Sequence, residues 1–109
     1  MDLNEYQVAA QKTAQYPGKG KDLSYPVLGL NGEAGEVADK LKKIIRDHHG
    51  EFSAELREDL AYELGDVLWY VADLAIELGY TLDTIACMNI NKLSSRARRG
   101  QIGGNGDHR

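Results

Sequence analysis

Cysteine is almost missing from this 109-residue chain: Cys87 stands alone, so no internal disulfide forms and a reducing compartment suits it. It lies in an apolar helical run between Ala86 and Met88, which predicts a buried structural thiol and not a nucleophile. No apolar run is long enough to cross a membrane. The opening Met1-Asp2-Leu3-Asn4-Glu5 is acidic and polar, unlike a secretory signal, so a cytoplasmic protein without a membrane partner is expected. Positive charge is in deficit, at a net −4, which argues against general nucleic-acid binding. No cysteine or third histidine at ligand spacing accompanies His48-His49, so zinc is unsupported. Glu-x-x-His pairs are missing too, which removes a di-iron carboxylate bundle. The length suits one domain, 1–109, with a single modest core.

What is present is a pair of echoes. Glu33-Ala34-Gly35-Glu36-Val37 returns thirty positions later as Glu63-Leu64-Gly65-Asp66-Val67. Each lies in a segment whose apolar residues recur at helical spacing: Leu30, Ala34, Val37, Leu41, Ile44 and Ile45 in the first, Leu60, Leu64, Val67, Val71, Leu74 and Leu78 in the second. At about 100° per residue, Glu33 and Glu63 fall roughly 60° to one side of their stripe's centre, and Glu36 and Asp66 roughly 120° to the same side. Antiparallel packing along the stripes brings both carboxylate pairs to one edge of the seam. Such a cluster repels itself unless a cation neutralises it, and oxygen ligands in that number suit magnesium, with manganese as the substitute. A glycine between the acids costs each helix about 1 kcal/mol relative to alanine, so its recurrence predicts a close backbone approach or room for a ligand.

The expected architecture is all-α and four-helix-bundle-like, with helices over about 2–15, 26–48, 54–78 and 81–99. Asp2 with Glu5 forms a capping box, and Tyr16-Pro17-Gly18 stops the first helix. Ser24 is a candidate cap for the second, with Pro26 in its first turn; Ser53 and Thr81 serve the third and fourth. Gly79 and Gly100 close the third and fourth. Lys40 follows Glu36 by four residues and Lys43 follows Asp39 by four, the spacing of helix-stabilising ion pairs. Lys19 and Lys21 read as ordinary surface lysines. Leu68-Trp69-Tyr70-Val71-Ala72 is apolar nearly all round, more than so small a chain buries alone, and predicts a subunit interface. The fourth helix turns Leu82, Ile85, Ala86, Ile90, Leu93 and Ala97 to the core, while Asn89, Lys92 and Arg96 fall near one face, either a grip for phosphate and sugar or a solvated helix edge. After Asp83 the chain carries Lys92, Arg96, Arg98, Arg99 and Arg109 against only Asp107, so an acidic centre meets a basic end that suits an anionic ligand. Composition alone predicts a disordered tail over 100–109.

The pattern Glu33-x-x-Glu36 with Glu63-x-x-Asp66 resembles the signature of the MazG-like all-α nucleoside triphosphate pyrophosphohydrolases. Tyr25 to Lys43, the block Glu63 to Tyr70 and Asn89-x-x-Lys92-Leu93-x-x-Arg96 carry the resemblance over nearly the whole chain. It implies magnesium-dependent hydrolysis of a nucleoside triphosphate, deoxynucleoside forms included, between the α and β phosphates, for cleansing or regulating a nucleotide pool. Metal would be held by Glu33, Glu36, Glu63 and Asp66, with Glu33 or Glu36 accepting the proton of the attacking water. Lys43, Arg46, Asn89, Lys92 and Arg96 are the substrate-binding candidates, Asn89 and Lys92 matching the family's fourth-helix motif. The resemblance further implies a homodimer or dimer of dimers, and a tail that closes over bound nucleotide. One departure is Gly32, where the family often has a second glutamate before Glu33. The alternative is a non-catalytic nucleotide- or metal-binding helical dimerisation module, which would have no use for four like charges beside its core.

Overall fold

The computed structural model describes residues 1–109 as four helices: α1 Leu3–Gln11, α2 Ser24–His48, α3 Ala54–Glu77 and α4 Leu82–Arg98. Strands are absent. Side-chain caps start three of them. Asp2 Oδ1 accepts from the Glu5 N–H at 2.8 Å, Ser53 Oγ from Leu56 at 3.2 Å, and Thr81 Oγ1 from Thr84 at 3.1 Å. Ser24 is not a cap: it is the first helical residue of α2, follows Leu23, and gives its own N–H to Asp22 Oδ1 at 2.9 Å. Helix α1 ends four residues earlier than its pattern predicts, at Gln11. Thr13 Oγ1 donates to the Ala10 carbonyl at 2.6 Å and accepts from Trp69 Nε1 at 2.8 Å, so the chain leaves the helix to dock on α3.

Left-handed glycines end α3 and α4 as expected. Gly79, at φ +86°, donates to Ile76 while Tyr80 donates to Ala75, and Gly100, at φ +69°, donates to Ala97 while Gln101 donates to Arg96. Between α2 and α3 the turn passes through His49, at φ 53°, and Gly50. The result is a long antiparallel hairpin, α2 against α3, with α1 and α4 packed beside the second half of α3. A small core forms there: Ala72, Ala75 and Leu82 are buried, with Tyr6, Val71 and Ile85 against them. Gln7 ties it, its amide donating to the Ala72 and Tyr80 carbonyls and accepting from Leu82 N–H.

The loop before α2 is fastened by Asp73, which is 3% exposed. It accepts from the Tyr16 hydroxyl and from Lys19 Nζ at 3.2 Å, and Lys19 reaches Glu77 at the same distance. Lys19 is thus not an ordinary surface lysine. Tyr16 stacks on Tyr25 with ring centroids 4.5 Å apart. Tyr70 lies against Gly29, where any Cβ would overlap its ring. Gly29 is therefore the glycine that the hairpin requires. Around Gly35 and Gly65 this chain places nothing, so the close backbone approach expected there does not occur within it.

Only part of each apolar stripe is used. Pro26 and Ile44 are buried on α2, whereas Val27, Leu41 and Ile45 are exposed; on α3, Leu60 and Val67 are partly covered, whereas Leu64, Leu68 and Leu78 are exposed. By helical phase the exposed residues lie roughly a quarter-turn from the seam on both helices, on the side opposite the acids. Antiparallel packing puts both open faces on one side of the hairpin. Ile90 and Leu93 of α4, expected in the core, are also exposed, as is Cys87. The expected interface run is instead largely covered from within: Ala72 is fully buried, and Trp69, Tyr70 and Val71 are half-buried. The radius of gyration is 16.7 Å, against about 13 Å for a compact chain of this size.

Candidate metal and nucleotide site

Helical phase delivers the acids to the seam. Carboxylate oxygens of Glu33, Glu63 and Asp66 lie within 4.8 Å of one another, two helices contributing to one cluster. Glu33 and Glu63 are half-buried and Asp66 is exposed. Burial pushes the Glu33 carboxyl above its ordinary range, and the charges of Asp66, Glu63 and Glu36 push it the same way. Lys40 Nζ sits 3.1 Å from Glu63 Oε1, across the seam, and not on Glu36 as the four-residue spacing predicts. The hydroxyl of Tyr6 on α1 is pushed up by burial and by the charge on Asp66.

Three convergent carboxylates with one lysine among them fit a hard divalent cation. The negative charge exceeds its internal compensation, and every donor is oxygen. Glu36 is one turn along α2 from Glu33, exposed, and outside the group of three.

The cations expected at the site are paired with other acids of the chain. Lys43 pairs with Asp39 at 2.8 Å as its spacing predicts, and Lys42 joins at 3.1 Å. Arg46 makes a two-pronged contact with neighbouring Asp47 at 2.7 and 2.8 Å. Lys43 borders a narrow cavity of about 150 Å³ at the turn end of the hairpin, with Lys40, Asp47, His48 and Asp59. Asn89, Lys92 and Arg96 lie on α4, which packs on α1 and α3 and makes no contact with α2. There Lys92 meets Asp107 at 3.0 Å, and Arg96 is 5% exposed. The 100–109 segment lies back along α4 in bends and turns. Sequence reasoning missed the Tyr16–Lys19–Asp73 fastening, whose partners are more than fifty residues apart and share no local signal.

Comparison with known proteins places the chain in a family. The family model of the MazG nucleotide pyrophosphohydrolase domain matches residues 25–100, from the start of α2 through the end of α4. The gene 37 protein of Mycobacterium phage L5 is 53% identical over 114 aligned positions spanning the full length of both chains. No solved structure shows a significant match.

Proposed function

The chain belongs to the MazG nucleotide pyrophosphohydrolase domain family, and from that premise we propose that it hydrolyses nucleoside triphosphates, deoxynucleoside forms among them, to the monophosphate and pyrophosphate with magnesium. The convergence of Glu33, Glu63 and Asp66 carries this reading. Those three residues would hold the metal, manganese serving in its place. When bound, the ion supplies neutralisation of phosphate oxygens and a lowered pKa for a coordinated water. Glu36 is the group we assign to take the water's proton, with Glu33 as the second candidate, because Glu36 remains exposed beside the cluster. Lys40 holds Glu63 in place before any ligand arrives.

Asn89, Lys92 and Arg96 would hold phosphate and sugar, with Lys43 and Arg46 released from their local acids as further phosphate contacts. Within one chain α4 packs on α1 and α3 and stays off α2. The open apolar side of the hairpin, with Leu41, Ile45, Leu64 and Leu68, supports a homodimer or dimer of dimers. The role that follows is control of a nucleotide pool in the cytoplasm.

The test is a panel of ribo- and deoxynucleoside triphosphates with magnesium, scored for pyrophosphate and orthophosphate separately. Pyrophosphate with monophosphate from at least one member is expected. Orthophosphate with diphosphate, or no product from folded protein with excess metal, would overturn the assignment.

A further inference from the structure

Arg99 and Gly100 turn the chain back along α4, and a single side chain ties the returning loop. The Arg109 guanidinium donates to the carbonyls of Gln101, Ile102, Gly103 and Gly106, and its own carbonyl accepts from Arg99 Nη2 at 2.7 Å. Gly104 and Gly106 have φ +97° and +89°, and a Cβ at Gly104 would come within 3.2 Å of the Arg109 side chain. Side chains at these two places would loosen the loop.

This tie lays Asp107 on the cationic side of α4. Its carboxylate accepts from Lys92 Nζ at 3.0 Å and lies 3.5 Å from Arg96 Nη2, which donates to the Gly106 and Asp107 carbonyls at 3.2 and 2.8 Å. Hydrogen bonding to Lys92 holds the Asp107 carboxyl below its ordinary range, with Arg96 adding to the effect. Yet Arg96 Nε is buried with no partner at all. A cavity of about 500 Å³ opens alongside, lined by Asn89, Lys92, Asp107 and His108 over Ile85 and Met88. One carboxylate and two carbonyls therefore hold two cations and leave a buried donor unspent. A phosphate brings more charge and more acceptor oxygens than a carboxylate, so it satisfies this pair better.

We propose that the tail is an internal competitor: Asp107, pinned by Arg109, occupies Lys92 and Arg96 until a phosphate-bearing anion takes its place. Ligand and docked tail exclude each other, so apparent affinity is lowered by the fraction of chains in which the tail is docked. The inference rests on the reading of Lys92 and Arg96 as phosphate-holding residues, and it is tested without catalysis.

Inorganic pyrophosphate is titrated calorimetrically into the full chain with a chelator present, for wild type, Asp107→Asn, Arg109→Ala, Lys92→Ala and, as a control of equal charge change, Asp83→Asn. Arg109→Ala discriminates by sign. It removes a cation, so simple electrostatics demands weaker binding, whereas release of the latch makes binding tighter by about tenfold. Asp107→Asn is expected to tighten similarly, Asp83→Asn to change little, and Lys92→Ala to lose binding. In wild type, saturating pyrophosphate should move the amide resonances of 102–109 to random-coil positions, as the side-chain bonds that hold the tail's carbonyls are given up. Weaker binding by Arg109→Ala, unmoved tail resonances at saturation, or no pyrophosphate binding by any variant overturns the latch. Tail release by pyrophosphate in a protein that hydrolyses no triphosphate would retire the hydrolase reading and leave the latch standing.

Discussion

Asp73 and Glu63 of α3 each meet a lysine, with opposite consequences. Asp73 is 3% exposed and has both oxygens committed, one to Tyr16 and one to Lys19, so it clamps the loop before α2. Glu63 gives one oxygen to Lys40 and turns beside Glu33 and Asp66, keeping capacity for a cation. The echoing spacing exposed the second arrangement in the sequence, because both helices carry the same phase. Nothing comparable marks Asp73, whose partners come from a loop. Glu36 is the residue on which the chemistry divides most sharply from the fold. Being exposed and unpaired, it adds no packing, so Glu36→Gln should leave the melting temperature within experimental error of wild type. Turnover should fall by about 100-fold or more, the usual contribution of a positioned general base. Near-normal steady-state rates in that variant would remove Glu36 from the mechanism.

At the scale of elements, type and order were legible and the edges less so. Long amphipathic stripes fixed α2, α3 and α4, and Gly79 and Gly100 marked the ends of the last two because only a left-handed residue closes that turn comfortably. Helix α1 stopped early because Thr13 serves α3 through Trp69, a tertiary claim that local pattern does not contain. The tail's path is not local either: one arginine gathers four of its carbonyls, a set of contacts that composition does not record. Caps allow a clean check. Ser53→Ala and Thr81→Ala each remove a bonded cap and should cost about 1 kcal/mol in chemical denaturation, whereas Ser24→Ala should cost close to nothing. Equal losses at all three positions would show that Ser24 caps α2 in solution.

For the molecule as a whole, the apolar stripes were legible as helix signals but not as interfaces, since a stripe wide enough for two contacts looks the same as one generous core face. Covering is the missing information. Exposed Ile45 and Leu64 make no core in this chain, so Ile45→Glu and Leu64→Glu should leave helical content intact. Light scattering after size exclusion should show wild type at twice the chain mass or more and both variants shifted toward the monomer, with activity lost alongside. A monomeric, fully active wild type would contradict assembly as a condition of the site.

The claim that everything chemical depends on is that Glu33, Glu63 and Asp66 jointly capture a divalent ion. Calorimetric titration of manganese or magnesium into wild type and into a Glu63→Gln, Asp66→Asn double variant measures it directly, with circular dichroism confirming that both are folded. Saturable binding by wild type and its loss in the double variant is the expected result; equal binding by the two, or none by wild type, would contradict it.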